Sequence, residues 1–250
     1  GDAWDGADRI WIPARVGGQR LKFKNLALLN GKPLIYYSIQ AAKKSKVFNQ
    51  IVLNSDHKIF KKISERYKIS FYLRPKKIGK SNTKSDEVVN DFIKKYNDND
   101  ILVWVNPIAP LQDSEDINNI VRFFIKKKLD SLITTEKKQV HCLYKKKPIN
   151  FKIREKFAKT QNLEPIDFFS YTIMMWKTKT FTKNYRKYKS GIICGKFSSY
   201  NLDSSKSTII KDSNDLKLAE SLMKSSKKKY KKVKYDKIYK NLLKNKWKIK

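Results

Sequence analysis

The sequence is poor in cysteine, in acidic residues and in long apolar runs. Its 250 residues include two cysteines, Cys142 and Cys194, which lie far apart and form no CxxC pair. This spacing excludes a disulfide framework and a cysteine-rich zinc site, so we interpret both as buried thiols. The chain has no apolar run of about 18 residues, as a membrane-spanning helix needs, and it does not open with a signal-type segment. We therefore expect a soluble, cytoplasmic protein with no membrane partner.

The composition changes at both ends of the chain. Residues 1–8 are small and acidic, unlike the lysine-rich sequence that follows, and we expect them to be an added or disordered segment. Residues 224–250 form a lysine-rich C-terminal extension. Its apolar side chains indicate an amphipathic helix packed on the body: Val233, Ile238, Leu242, Leu243 and Trp247. The main domain is then predicted over residues 9–223.

Acidic residues are scarce relative to basic ones. The chain has 57 Lys+Arg against 23 Asp+Glu, a net charge of +34, which attracts polyanions. Three interpretations stay open: nucleic-acid binding, binding of small phosphorylated substrates, and a general preference for lysine. Because lysine is spread over the whole chain and not concentrated in one stripe, the last interpretation is favoured. Nucleic acid remains an alternative partner.

Apolar segments of strand length alternate with segments of helical period. Strands are predicted at residues 9–12, 51–54, 69–73, 101–105 and 131–134, and helices at 34–42, 59–67, 88–93, 116–128 and 212–223. Thr83 and Asp86 have capping-box spacing, and Asp113 can cap the next helix. This order favours an α/β fold with a doubly wound, mostly parallel sheet, whose ligand site lies beyond the carboxyl ends of the strands. Residues 136–180 break the pattern and are interpreted as a small inserted lobe.

The turn after the first predicted strand combines cations with glycines. Arg15, Arg20 and Lys24 supply positive charge, while Gly17 and Gly18 let backbone N–H groups approach an anion. Taken alone, these residues indicate either a phosphate-sized site or a flexible basic surface loop, and they do not separate the two.

Residues 12–26 resemble the IPARxGSKxLxxKN opening of the CMP-sialic-acid synthetases, or acylneuraminate cytidylyltransferases. Further motifs follow in that family's order: residues 54–57 resemble its STDD, 73–75 its LRP, 106–112 its QPTSPLR and 212–216 the end of its DIDTxxDL. On this resemblance the chain is identified as a divergent member of the family. The resemblance implies a Rossmann-like nucleotidyltransferase fold with a small dimerisation lobe. It also implies transfer of CMP from CTP to an acidic 2-keto sugar, of sialic, legionaminic, pseudaminic or Kdo type, with release of pyrophosphate.

Carried over by position, the resemblance implies a nucleotide site, a metal ligand and a homodimer. The nucleotide-binding residues would be Arg15, Gly17, Gly18, Gln19, Arg20, Lys24, Asn25, Arg74, Ser85 and Asn106. Arg15 and Lys24 would be catalytic, because they neutralise the triphosphate as it breaks. Asp212 would bind Mg²⁺, the expected cofactor, although its position suits a helix N-cap equally well.

The sequence also departs from the family pattern. Gly18 and Gln19 replace a Ser-Lys pair, Asn106 replaces Gln, and Ile210 stands where the first Asp of the DxD pair would lie. These changes affect the metal arrangement most. Two alternatives follow: a weakened member that binds nucleotides or nucleic acid, and a sugar nucleotidyltransferase that uses another NTP.

Overall fold

The structure is a computed structural model that describes residues 9–17, 20–45, 48–80, 82–226 and 233–239. The strands of its central sheet are β1 (Arg9–Ala14), β4 (Gln50–Ser55), β5 (Ser70–Leu73), β6 (Ile101–Val105), β7 (Ser131–Lys138), β10 (Ile166–Lys177) and β11 (Phe197–Asn201). Two short hairpins lie outside that sheet: β2 (Leu28–Leu29) with β3 (Lys32–Pro33), and β8 (Leu143–Tyr144) with β9 (Lys147–Pro148). The helices are α1 (Leu34–Ser45), α2 (Ile59–Tyr67), α3 (Ser85–Lys95), α4 (Ser114–Lys126), α5 (Thr178–Tyr188) and α6 (Ser213–Ser226).

The central sheet has seven strands in the order β11-β7-β10-β6-β1-β4-β5. Strand β1 pairs in parallel with both β4 and β6, and β10 is antiparallel to its neighbours β6 and β7. The next two strands of the sheet in the chain, β4 and β5, therefore lie on one side of β1, and the later strands, beginning with β6, lie on the other side. Such a reversal opens a crevice at the carboxyl ends of the strands. The predicted doubly wound, mostly parallel α/β fold is confirmed.

Both faces of the sheet are covered by helices. On one face, Ile10 and Ile12 of β1 are fully buried in a cluster with apolar residues of α1 and α4. On the other face, Trp11 stacks on Phe92 of α3 at 4.8 Å between ring centroids. Because successive side chains of a strand point to opposite faces, a strand buried on both sides needs a continuous apolar run.

The cap of α4 agrees with the prediction, and the cap of α3 differs from it. The Asp113 carboxylate accepts a hydrogen bond from the Asp116 N–H at 3.0 Å, so α4 begins at Ser114, two residues before the predicted start. The capping box predicted for Thr83 and Asp86 is wrong. Lys84 is the N-cap of α3 and its N–H donates to the Glu87 carboxylate at 3.1 Å. Asp86 instead accepts from the backbone N–H groups of residues 191 and 192 at 2.7 and 3.1 Å, a contact with no local sequence signal.

The segment interpreted as an inserted lobe contributes to the main sheet. Within residues 136–180, the strand β10 pairs with both β6 and β7. Met174, Met175 and Trp176 of this strand are buried in the core. The part of the segment outside the central sheet is residues 139–165, which hold the β8–β9 hairpin.

Two expectations about buried side chains need correction. Cys194 is buried as predicted, but Cys142 is partly exposed. In the C-terminal extension, Val233 and Ile238 are exposed, so the described part of the extension does not pack an apolar face on the body. Residues 1–8 and Leu242, Leu243 and Trp247 lie outside the described residues. No described helix has the length and apolar character that crossing a bilayer requires.

Asp130 anchors the turn that leads into β11. Its carboxylate accepts hydrogen bonds from the Lys196 N–H and the Thr180 hydroxyl, both at 2.7 Å. These bonds bring the carboxylate against Gly195, whose φ of +55° is in the left-handed region. A Cβ atom at position 195 would lie 2.5 Å from a carboxylate oxygen of Asp130. Glycine is therefore required here for both backbone conformation and space.

We expect Gly195→Ala to lower the free energy of unfolding by about 2 to 4 kcal/mol, through strain at positive φ plus a steric clash. The matched control is Gly31→Ala, because Gly31 has a φ of +77° but no atom within 4 Å of the added Cβ. The control should cost only about 1 kcal/mol. Urea unfolding followed by circular dichroism measures both, and equal losses would contradict the steric argument.

Candidate functional site

A cavity of about 460 Å³ opens at the carboxyl ends of β1 and β6. This is the crevice expected where the order of parallel strands reverses. Eight of the sequence-predicted site residues line it: Arg15, Gly17, Arg20, Lys24, Asn25, Arg74, Ser85 and Asn106. The other two predicted nucleotide-binding residues, Gly18 and Gln19, lie outside the described residues. Residues that are distant in sequence thus share one cavity, while their roles stay predictions.

The basic turn after β1 is held at both ends by hydrogen bonds. The Val16 N–H donates to the carboxylate of Asp56, which follows β4, at 3.2 Å. The side-chain amide of Asn25, which is buried, donates to the Arg15 carbonyl at 3.1 Å. Lys24 lies between Val16 and Asn25 in the chain and begins a short 3-10 helix. The described ends of the turn are therefore positioned by the fold.

The cations of the turn are close enough to repel one another. The pKa of Lys24 lies below its ordinary value, first because burial disfavours the charged amine and then because Arg20 and Arg15 are near. Asp215 acts in the opposite direction and is the smallest of the four influences. The turn carries more positive charge than the nearby carboxylate neutralises. A bound anion would therefore stabilise it.

Arg74 brings a buried guanidinium to the same cavity. Its side chain is 4% exposed, and its Nη2 lies 3.5 Å from the Ala14 carbonyl, a long contact. Its Nε has no hydrogen-bond partner among the described residues. Burial lowers the pKa of Arg74, and the nearby carboxylates of Asp56 and Asp91 only partly oppose that effect. A buried donor without an acceptor is costly, so this group is a candidate to bind a ligand oxygen.

Two tryptophans form an aromatic wall that the sequence did not reveal. Trp11 and Trp104 both line the cavity, with ring centroids 5.9 Å apart and a 39° tilt between the rings. Trp11 donates through Nε1 to Asn54 at 3.1 Å, whereas the buried Nε1 of Trp104 has no partner among the described residues. Val88 and Val89 of α3 add apolar surface. The cavity can therefore hold a ligand with a flat ring as well as anionic groups.

Asn106 is already engaged by the protein. Its side-chain amide donates to the Tyr171 carbonyl at 2.9 Å, and its Oδ1 accepts from the Ile108 N–H at 3.2 Å. The backbone is held too, since the Ser38 hydroxyl donates to the Asn106 carbonyl at 2.9 Å. In this arrangement Asn106 shapes the cavity wall, and contact with a ligand would use its remaining acceptor capacity.

The predicted magnesium ligand, Asp212, acts as a helix cap. Its carboxylate accepts from the Asp215 N–H at 3.0 Å at the start of α6, and it is absent from the cavity lining. Ile210 is fully buried in an apolar cluster with Leu34 and Ala219, so this position offers no ligand. The described residues include no group of three His, Cys, Asp or Glu side chains that could hold a metal. These donors do not fit a magnesium site built from paired carboxylates, and the assignment of Asp212 stays a prediction.

An α/β fold with a cationic, partly aromatic cavity at its strand reversal is typical of proteins that bind an anionic ligand with a flat ring. Residues 10–192 match the protein family described as Cytidylyltransferase. The chain therefore belongs to the cytidylyltransferase family. The resemblance inferred from the sequence motifs is confirmed at this level.

Individual relatives match parts of the chain. An N-acylneuraminate cytidylyltransferase of Escherichia coli O18:K1:H7 (strain RS218 / NMEC) is 32% identical over 113 residues, which is 45% of this chain and 27% of that protein. An N-acylneuraminate cytidylyltransferase of Streptococcus agalactiae serotype V (strain ATCC BAA-611 / 2603 V/R) is 27% identical over 186 residues, 69% of this chain and 44% of that protein. The chain thus spans less than half the length of these two relatives.

A solved structure shows the same fold over a larger share of the chain. The structure of a CMP:2-keto-3-deoxy-manno-octonic acid synthetase complexed with CTP superposes with a TM-score of 0.67. The match covers 88% of this chain and 100% of that one at 12% identity. At this identity the likeness shows a shared fold.

We expect Arg74→Met to raise the free energy of unfolding by about 1 kcal/mol, because it removes a buried charge with an unsatisfied donor. The control is Arg66→Met on α2, where the arginine is exposed. That change should stay within about 0.5 kcal/mol. Urea unfolding measures both variants. A loss of stability by Arg74→Met would mean that its attraction to nearby carboxylates outweighs the desolvation cost.

Proposed function

We propose that this protein transfers the cytidylyl group of CTP to an acidic 2-keto sugar and releases pyrophosphate. The observation that carries the proposal is the cavity itself. In a member of the cytidylyltransferase family, it brings Arg15, Arg20, Lys24 and Arg74 together beside an aromatic wall at the strand reversal. Cations at one part of the cavity and apolar rings at another suit a nucleoside triphosphate.

The reaction needs little covalent chemistry from the protein. The anomeric hydroxyl oxygen of the sugar attacks the α-phosphorus of CTP and forms a new P–O bond. The bond from that phosphorus to the oxygen bridging to the β-phosphorus breaks, pyrophosphate departs, and the hydroxyl proton passes to solvent. Catalysis then comes from holding the two substrates in line and from neutralising the charge that develops on the leaving group.

The basic turn is suited to the second of these tasks. Lys24 is half-buried and already experiences repulsion from Arg15 and Arg20. A triphosphate would turn this repulsion into attraction, and the attraction would strengthen as charge builds on the departing pyrophosphate. We therefore assign Arg15 and Lys24 as the catalytic cations, and Arg74 as a buried donor to the nucleotide. A cytoplasmic location stays part of this proposal.

The sugar is proposed by chemical class only. The two relatives are named for N-acylneuraminate, and the solved structure is named for 2-keto-3-deoxy-manno-octonic acid. Both are 2-keto sugar acids, which carry a carboxylate next to the reacting carbon. The cationic side chains that line the cavity favour such an anionic second substrate.

The competing function is nucleotide binding without turnover. It is favoured by the buried Ile210 at the predicted metal-ligand position and by the cap role of Asp212. Under that alternative, CTP would bind but no pyrophosphate would appear with any sugar acid. A nucleic-acid partner would be recognised by binding that weakens steeply with salt concentration.

Pyrophosphate release tests the proposal directly. With CTP, Mg²⁺ and a panel of sialic, legionaminic, pseudaminic and Kdo-type acids, we expect release with at least one acid. Lys24→Met should lower kcat/KM about 10²- to 10³-fold, the usual loss when one preorganised charge-stabilising donor is removed. Lys22→Met is the matched control, because Lys22 is an exposed lysine of the same turn outside the cavity lining. No release with any acid from folded protein would reject the enzyme assignment.

The homodimer expected from the sequence also remains a proposal, with residues 139–165 as its interface. This segment exposes large apolar side chains, with Phe157 75% and Ile153 78% exposed. Phe157 stacks on His141 at 3.7 Å, and Phe151 packs edge-on against both rings. An exposed patch of this kind is typical of a surface that another chain covers.

We expect the double variant Ile153→Asp and Phe157→Asp to sediment as a monomer in analytical ultracentrifugation, while the unmodified chain sediments as a dimer. Two carboxylates in an apolar interface would each lose hydration without a partner. Leu218→Asp is the control, because Leu218 is an exposed apolar residue of α6 far from this segment in the chain. A wild-type monomer at micromolar concentration would exclude the interface.

A further inference from the structure

Lys211 lines the cavity although no sequence motif pointed to it. Its two neighbours in the chain face elsewhere. Ile210 is fully buried, and its N–H donates to the Ile108 carbonyl at 3.0 Å. Asp212 caps α6 through its carboxylate. With the flanking residues held in this way, the side chain available to the cavity from this segment is a lysine.

The charged side chains that line the cavity, among the described residues, are all of one sign. The cationic side chains that line it are Arg15, Arg20, Lys24, Arg74, Lys80 and Lys211. Among the described lining residues there is no aspartate or glutamate. The acidic side chain that acts on Lys24 is Asp215, and one oxygen of its carboxylate already accepts the Lys211 N–H at 2.8 Å.

This distribution opposes binding of a metal ion by the protein. Mg²⁺ in proteins is held by one or two carboxylates together with waters and substrate phosphates. A divalent cation in this cavity would face six cationic side chains and no lining carboxylate. A lysine ammonium, in contrast, binds phosphate oxygens as a point charge with three donors.

We propose that Lys211 binds the nucleotide phosphates directly and that the protein captures its nucleotide without needing a divalent cation. This inference rests on the proposed function, since it concerns the same cavity and the same triphosphate. Lys211 comes from the segment before α6 and the basic turn follows β1, so the triphosphate would be held by cations from two separate parts of the chain. The positive charge expected from a metal at this segment is supplied by the lysine.

Isothermal titration of the full chain with CTP tests the inference, once in EDTA and once in MgCl₂. We expect the dissociation constant in EDTA to lie within about fivefold of that in MgCl₂. Lys211→Ala should weaken CTP binding about tenfold in EDTA, equivalent to about 1.4 kcal/mol, and Lys211→Arg should restore most of the affinity. The control is Lys217→Ala, since Lys217 is an exposed lysine of α6 outside the cavity lining. It should leave CTP binding unchanged.

A second measurement separates a phosphate contact from a structural role. CMP lacks the terminal phosphates, so Lys211→Ala should weaken CMP binding less than CTP binding. Circular dichroism and urea unfolding of Lys211→Ala should match the unmodified protein, because the side chain is exposed and the Asp215 bond uses the backbone. An equal loss for CMP and CTP, or equal weakening by Lys217→Ala, would overturn the assignment of Lys211.

The result with metal distinguishes this inference from the proposed function. If CTP binds only when MgCl₂ is present, the inference is wrong while the nucleotide site stands. If CTP binds in neither buffer, the proposed function itself fails and the inference falls with it. Binding in EDTA that is weakened by Lys211→Ala and restored by Lys211→Arg supports both.

Discussion

Strand β1 is paired on both sides, with β4 on one and β6 on the other, and the position of the site follows from that pairing. Because all three strands are parallel, their carboxyl ends lie side by side, and the segments that follow the strands begin at the same end of the sheet. The basic turn leaves β1, Asp56 follows β4 and Asn106 follows β6. The hydrogen bond from Val16 to Asp56 joins two of these segments directly. Without the strand reversal at β1, these residues would not share a cavity.

The cavity concentrates positive charge that the protein leaves largely uncompensated. Lys24 is held near Arg15 and Arg20, and Arg74 is buried with an unsatisfied Nε. Both arrangements oppose folding, since like charges repel and burial removes hydration. Such local instability is common where a protein is preorganised for a ligand of opposite charge. The large apolar clusters on the two faces of the sheet provide the stability that this arrangement needs.

The family relationship is clearer in the fold than in the residues. The two N-acylneuraminate relatives match the chain at 32% and 27% identity over part of its length, while a solved synthetase shares the fold over 88% of the chain at 12% identity. Cores accept many apolar substitutions when volume and pattern are kept, so the architecture persists as identity falls. Positions with a defined chemical task do not have that freedom. Ile210, at a position where the sequence motif predicts a carboxylate, is buried in an apolar cluster.

The sequence by itself determined the order of the main strands and helices up to β7, the last helix α6, the doubly wound sheet and most of the basic turn, because apolar periodicity and the motif around Arg15 and Lys24 are local signals. Only the tertiary structure decided that β10 belongs to the central sheet, that Asp86 bonds across to residues 191 and 192, and that Trp11, Trp104 and Lys211 join one cavity. These features depend on packing between segments far apart in the chain. The direction of a side chain such as Lys211 is set by the burial of its neighbours, and no local pattern encodes that.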